Sequence, residues 1–340
     1  MQLSDFDYQL PNELIAREPA EPRDHSRLMR VNRLTGKVSH HYFYELPALL
    51  SANDLLVMNN SKVLPARFFA KSQGNGKVEI LLLRPSEHHP LEWKCLVRPG
   101  RRVREDTTTL TLPDGSTAQA HRQGDSFFIR FTELPDLPAL YRWLDLHGSP
   151  PLPPYLNREA KASDKDRYQT VYAKSPGSVA APTAGLHFTP SLLRELLARG
   201  ISQKEVTLHV GYGTFSPVKE ENIENHVMHE EFYTIPADLR GALKDTKARQ
   251  GRVIAVGTTA LRTLESIDRF GDSAETNLFI RPGYQFQLID GLITNFHLPK
   301  SSLLILVAAL IGLEAMKDCY ELAKKEGYRF YSYGDAMLIL

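Results

Sequence analysis

Cysteine is nearly absent from this chain. Its two cysteines, Cys95 and Cys319, lie far apart, each inside an apolar segment. A disulfide framework or a thiolate zinc site needs more thiols, and closer together. The reading left is a pair of buried, reduced thiols in a cytosolic protein. Net charge is nearly absent too: 41 Lys and Arg against 40 Asp and Glu leave +1. Global charge therefore argues neither for nor against a nucleic-acid partner, which only a local basic patch can attract. Long hydrophobic runs are missing as well. The run Leu303 to Leu313 is about half of the ~20 residues that a membrane span requires. The opening Met-Gln-Leu-Ser-Asp-Phe-Asp-Tyr lacks the basic start and apolar core of a signal peptide. The expectation is a soluble cytoplasmic protein that meets no membrane.

What is present fits a globular chain. Its apolar share of 42% and charged share of 24% leave no need for a large disordered part. At 340 residues the chain suits two domains. Residues 1–60 read as a helix start, a strand at Leu28–Val31, a short helix and a strand at Leu55–Met58. Asn59-Asn60-Ser61 follows as a loop tip or a polar rim. From Lys62 to about Thr132 the period becomes two. Short strands are expected at 66–71, 78–84, 93–98, 108–112, 117–121 and 127–131, punctuated by glycine turns. This spacing predicts a compact all-β domain, barrel or sandwich. Beside one of its turns stand Arg98, Arg101, Arg102 and Arg104. They form either a grip for phosphates or an ordinary solvated basic turn.

A helix is expected at 138–147, then the proline-rich run Ser149 to Tyr155, read as a stiff connector back to the first domain. From Val179 strands and helices alternate. Helices are expected at 190–199, 237–250, 258–270 and 301–326, with strands at 205–210, 253–256, 277–280 and 336–340. Strands separated by helices mean an α/β layered domain.

The stretch Val179 to Glu231 holds four of the twelve histidines, with glycines beside threonines. Titratable side chains on loops and strand ends are where a scaffold carries chemistry. His226 and His229 have metal-ligand spacing, but the metalloprotease pattern is absent, so acid–base work is the favoured role. Gly257-Thr258-Thr259 after the strand at 253–256 is an anion site at a helix start or a plain N-cap at Thr258. One glycine there is too few for a dinucleotide fingerprint. Gly211 and Gly213 permit close backbone approach or a bulge. Asn295 and His297 precede the last long helix.

Together these segments resemble one family over nearly the whole chain. The matching stretches are S-D-F-D at 4–7, G-K-V-E at 76–79, P-L-P-P-Y at 151–155, Y-Q-T-V-Y at 168–172 and A-A-P-T-A-G-L-H-F at 180–188. They continue with V-T-L-H-V-G at 206–211, G-T-F at 213–215, H-V-M-H at 226–229 and V-I-A-V-G-T-T at 253–259. T-N-F-H-L-P at 294–299 and Y-R-F-Y-S-Y-G-D-A-M at 328–337 complete them. The chain resembles the S-adenosylmethionine:tRNA ribosyltransferase-isomerases of the queuosine pathway. It departs from them at Tyr212, Lys62 and Ser302, where a small residue, an arginine and a threonine are usual.

The resemblance implies a discontinuous α/β catalytic domain over 1–61 and 149–340, with a β-barrel inserted at 62–148 and an active site at their interface. It implies transfer of the ribosyl part of S-adenosylmethionine to 7-aminomethyl-7-deazaguanine at the tRNA wobble position. Epoxyqueuosine forms, adenine and methionine leave, and neither redox cofactor nor metal is needed. On this reading His209, His226, His229 and His297 supply acid and base. Gly257, Thr258, Thr259 and Arg262 hold the methionine carboxylate. Thr183, His187, Gly211, Gly213, Thr214 and Phe215 wall the ribose or base, and Asn295, Tyr333 and Asp335 complete the substrate site. Lys62, Arg67, Arg98, Arg101, Arg102 and Arg104 contact tRNA, and the protein is a monomer. Two other classes stay open: a metal-dependent hydrolase built on His187, His209, His226 and His229, and a non-catalytic RNA-binding module.

Overall fold

The computed structural model describes residues 1–340 except Asn157, Tyr212 and 214–217. The chain divides into two compact units: Met1–Ser61, Gln169–Ser175 and Ala181–Leu340 in one, Lys62–Tyr168 and Pro176–Ala180 in the other.

The larger unit is built on a nine-stranded sheet. Its strands run in the order 273–276, 231–234, 202–208, 55–59, 253–256, 291–295, 336–339, 27–31 and 38–42. Four central strands, 202–208, 55–59, 253–256 and 291–295, are mutually parallel. The strand 336–339 runs against them, as does 231–234. Parallel strands covered on both faces read as unbroken apolar runs rather than alternation. Leu55–Asn59, Val253–Val256 and Gly291–Asn295 are buried at every residue. Leu56, Met58, Ile254, Val256 and Ile293 join Phe43, Phe188, Leu192 and Leu196 in one core. The alternating residues of the strands face the opposite side, where the helices Thr258–Phe270 and Leu239–Ala248 pack.

The smaller unit is a closed six-stranded antiparallel barrel in the order 126–131, 92–98, 76–85, 67–72, 108–111 and 117–123. Alternation sends Phe68, Ala70, Val78, Ile80, Trp93 and Leu110 inward, all buried. The helix Leu137–His147 lays Trp143 edge-on against Phe68, 5.1 Å between ring centroids. The unit extends past residue 148 because Ser149 exchanges backbone hydrogen bonds with Arg67, at 2.8 and 3.2 Å.

Two local expectations are revised. The helix expected at 301–326 is two helices, Ser302–Ile311 and Leu313–Lys325, because Gly312 adopts φ 89°, a left-handed conformation that no helix passes through. The strand expected at 277–280 lies at Ser273–Thr276, and Leu278 is instead a buried irregular residue whose carbonyl accepts from Arg262. Strands at 38–42, 231–234 and 291–295 were not anticipated. Two of them are short and largely polar, so they carry no clear period. No helix among the described residues is long and apolar enough to cross a membrane.

Asn59 ends the central strand and is not a loop tip. It is fully buried, and its amide donates to the Leu208 carbonyl at 3.0 Å and Thr259 Oγ1 at 3.2 Å. Its Oδ1 accepts from Leu208 and Ser61 N–H, both at 3.1 Å. Removing it strands several buried polar groups, each costing ~1–3 kcal/mol. Asn59→Ala is expected to lower unfolding stability by about 3 kcal/mol, read as a lower urea midpoint at unchanged slope.

Candidate active site

The parallel strands all finish at one edge of the sheet, and the polar residues gather there. Asn59, Gly257 and Asn295 lie at three strand ends, and His209 follows the fourth. Because neighbouring strands are antiparallel, the same edge carries the starts of 231–234 and 336–339, hence Glu231 and Asp335. Strand 27–31, parallel to 336–339, brings Ser26 there as well. In open α/β sheets ligands bind outside the carboxyl ends of the strands.

One cluster centres on His187, at the end of the 3-10 turn Thr183–His187. The ring stacks on Phe43 at 5.0 Å between centroids. Asn295 Nδ2 donates to His187 Nε2 and to the Tyr331 carbonyl, both at 3.1 Å. The carbonyl can only accept, so it fixes the amide orientation. His187 Nε2 is then the acceptor, and Nδ1–H donates to Ser26 Oγ at 2.7 Å. Burial, with the Arg329 and Arg23 guanidinium groups nearby, pushes His187 down to about 3. It is a neutral, hydrogen-bonded wall. Asp335 is buried beneath: its carboxylate accepts from the backbone N–H of Arg27 at 3.0 Å and of Arg329 at 2.8 Å, and from the Arg329 guanidinium at 3.3 Å. Tyr333 is also buried. Gly257 faces this turn; a Cβ placed on it would sit 3.6 Å from that of Ala184.

The second cluster is built on Glu231 and Arg262, both buried and joined as an ion pair. Glu231 also accepts from Gly211 N–H at 3.0 Å, and Arg262 Nε donates to the Leu278 carbonyl at 3.1 Å. Arg262 thus braces the helix Thr258–Phe270 against the strand at 231–234 and the turn at Gly211. Its guanidinium is committed to this pair, whereas Thr258 and Thr259 stand at the helix start. The N-cap of that helix is Gly257, at φ 88°, and Thr258 makes no capping bond. His229 lies against Gly213, where a Cβ would come within 2.2 Å of its ring. His209 stacks on Phe232, and burial lowers its affinity for protons. His226 meets the edge of Phe279, and burial, then His229, lowers it too. Residues 226–230 belong to no helix, so His226 and His229 are not one helical turn apart. Among the described residues no group of three His, Cys, Asp or Glu side chains is placed to hold a metal ion.

His297 stands apart from both clusters. Its Nε2 bonds Thr294 Oγ1 at 2.7 Å, its backbone bonds Tyr8 and Tyr320, and burial pushes it down to about 3. Thr214 and Phe215 lie outside the described residues. On the barrel, Lys62, Arg98, Arg101 and Arg104 are exposed, Arg67 pairs with Glu79 at 2.7 Å, and Arg102 donates to the Lys77 carbonyl at 2.5 Å.

Residue-by-residue reading missed Ser26, Glu231 and the pair Thr170 and Tyr172. Among the buried polar atoms without a partner are Asn295 Oδ1, His209 Nδ1, Thr170 Oγ1 and Tyr172 OH. Gly185, two residues before His187, is where Thr170 and Tyr172 converge: a Cβ there would meet the tyrosine hydroxyl at 2.0 Å. Buried groups left unpaired in a native fold ask for an explanation, and these stand beside the polar edge of the sheet.

A mixed α/β sheet with polar side chains collected at its strand ends defines an enzyme of the class that binds small molecules at such an edge. The particular family follows from comparison with known proteins. Residues 3–339 match the family described as queuosine biosynthesis protein, and the chain belongs to it. It is 49% identical over 345 residues to the S-adenosylmethionine:tRNA ribosyltransferase-isomerase of Thermotoga maritima, covering 100% of both chains. It is 47% identical over 355 residues to the enzyme of that name from Desulfitobacterium hafniense, again covering 100% of both. The crystal structure of S-adenosylmethionine tRNA ribosyltransferase from Thermotoga maritima superposes with a TM-score of 0.56 and 39% identity, covering 99% of this chain and 100% of that one.

Two consequences can be measured. Arg262→Ala removes the cation facing the buried Glu231 carboxylate and is expected to destabilise the fold by about 3–5 kcal/mol, seen as a fall in Tm. His187 and His297 titrate at the ordinary 6.5 when unfolded and at about 3 when folded. The unfolded chain therefore binds protons first. Stability is full above about pH 6.5 and falls as pH drops through that window toward 3. By about pH 5 each histidine has removed roughly 2 kcal/mol. Urea titrations at several pH values should show a shallower decline in His187→Gln than in the parent.

Proposed function

We propose that this chain is an S-adenosylmethionine:tRNA ribosyltransferase-isomerase. It moves the ribosyl part of S-adenosylmethionine onto 7-aminomethyl-7-deazaguanine at the tRNA wobble position, giving epoxyqueuosine. The observation that carries this reading is the full-length match at 49% identity to enzymes of that name, on a sheet whose polar edge bears the family's motifs.

The chemistry makes three demands. The aminomethyl group must shed a proton before its nitrogen attacks. Adenine must leave, which is easier once its ring is protonated. Methionine must leave, and the sulfonium already makes it a good leaving group. His209, held neutral by burial, with a buried Nδ1 that has no partner, suits the base. His229, beside Gly213, and His226, at the edge of Phe279, suit proton delivery to adenine. His187, neutral with its ring nitrogens bonded to Ser26 and Asn295, orients rather than exchanges protons. Asn295 Oδ1 and the hydroxyls of Thr170 and Tyr172 are free to take the donors and acceptors of the substrate. The start of the helix at Thr258 and Thr259 receives the methionine carboxylate, since N–H groups there face outward; Arg262 supports that helix. His297 and Asp335 are positioning residues in this scheme. Transfer of the ribosyl part, its isomerisation to the epoxide and the release of adenine and methionine are redox-neutral overall, so the reading includes no redox cofactor and no metal. The reading carries with it a monomeric cytoplasmic protein.

Mixing the protein with S-adenosylmethionine and tRNA bearing 7-aminomethyl-7-deazaguanine should release adenine and methionine together, only when the modified tRNA is present, and equally in a chelator. Binding of that tRNA without release of either product would defeat the proposal. His209→Ala and His229→Ala should lower turnover by about 10²–10⁴-fold while leaving tRNA affinity nearly unchanged. Equal losses in both quantities would make these residues structural.

A further inference from the structure

We propose that an arginine-lined groove on the outside of the barrel unit seats RNA phosphates, with Phe69 beside it as a stacking platform for a base. This rests on the tRNA substrate proposed above and assigns it a binding surface.

The groove has a volume of about 320 Å³ and forms where two turns meet: the hairpin turn Ser72 to Gly76, and the short turn Gly100–Arg102 with the loop after it. Arg101, Arg102 and Arg104 line it together with Ser72, Gly74 and Gly76. Arg102 is held in place. A Cβ on Gly76 would come within 2.4 Å of its guanidinium, so that group lies on bare backbone and donates to the Lys77 carbonyl at 2.5 Å. Arg101 and Arg104 are exposed, and among the described residues neither forms an ion pair, although Glu105 and Asp106 share the loop. Arginine's planar fork matches phosphate oxygens bidentately.

The adjoining sheet face continues the positive charge. Lys71 and Lys77 stand directly opposite each other in the antiparallel pair. Like charges so placed repel, and a bound polyanion would neutralise both. Phe69 faces outward two residues from Lys71, with 41% of its surface exposed, and the Lys77 ammonium lies 3.8 Å from its ring centroid. Cations tracking a backbone beside an exposed ring are what single-stranded RNA requires, since its bases stack on aromatic side chains. Arg67 is outside this set because Glu79 neutralises it.

The test is fluorescence anisotropy of the full-length protein with a labelled, unmodified tRNA transcript across a salt series. In Arg101→Gln/Arg104→Gln, affinity should fall about tenfold at low salt. The slope of log affinity against log salt should flatten by about 1.5, since each phosphate no longer neutralised removes ~0.7–0.9. Phe69→Ala should weaken binding by about tenfold with the slope unchanged, and Phe69→Trp should restore it. A slope in the double variant equal to that of the parent overturns the phosphate seat. Full affinity in Phe69→Ala overturns the platform. Both results come from binding alone, so they are independent of whether adenine is released. A parent protein that releases adenine normally while these variants bind like it defeats the groove and not the activity.

Discussion

The amide of Asn59 is the interaction on which the candidate site depends. A parallel sheet buried on both faces ends in a row of backbone groups and side chains with little access to water, and each must find a partner inside the protein. Asn59 meets that demand at the centre. It closes the end of the neighbouring strand through Leu208, turns the chain at Ser61 and reaches the helix start at Thr259. One side chain thereby ties two strand ends to the start of the helix Thr258–Phe270. Glu231 and Arg262 do similar work on one flank, and Asp335 on the other, where it gathers the N–H groups of Arg27 and Arg329.

These buried charges and amides separate the titratable groups into two kinds. His187 and His297 are enclosed, hydrogen-bonded and held neutral well below physiological pH. His209 keeps a ring nitrogen without a partner, and His226 and His229 lie at the more open end of the same sheet edge. Burial lowers the proton affinity of His209, and burial together with the neighbouring His229 lowers that of His226. The division of labour follows from depth of burial.

The barrel works under a different constraint. Closure removes its edges, and alternation commits the inward positions to Phe68, Ile80, Trp93 and their neighbours. The outward positions and the turns are then free of packing duties. That is why Arg101 and Arg104 can stand exposed beside Lys71 and Lys77. At the polar edge of the larger unit, by contrast, Arg262 and Arg329 are engaged by carboxylates and Arg23 by a carbonyl. A chain with a net charge of +1 can still present a local cationic surface in this way.

Much of this was legible in the sequence because it rests on short-range rules. The two-residue period with glycine turns placed the six barrel strands within a few residues. The apolar run 253–256 followed by Gly257 and Thr258 marked a buried strand and a helix where they stand in the fold, since burial on both faces leaves no alternation to misread. The break at Gly312 was missed because apolar periodicity runs on through it, and only the backbone angle ends the helix. The motifs around His187, His209 and Asn295 marked segments that the fold gathers at one edge of the sheet, and their resemblance to a known family named the chemistry. Which of those residues still have a free atom was decided by the tertiary structure. Arg262 reads as a carboxylate clamp until Glu231, 31 residues away, is brought to it, and Asp335 reads as a base-edge acceptor until Arg27 and Arg329 surround it. Partnering between distant segments is decided by strand order, and strand order is set by tertiary packing.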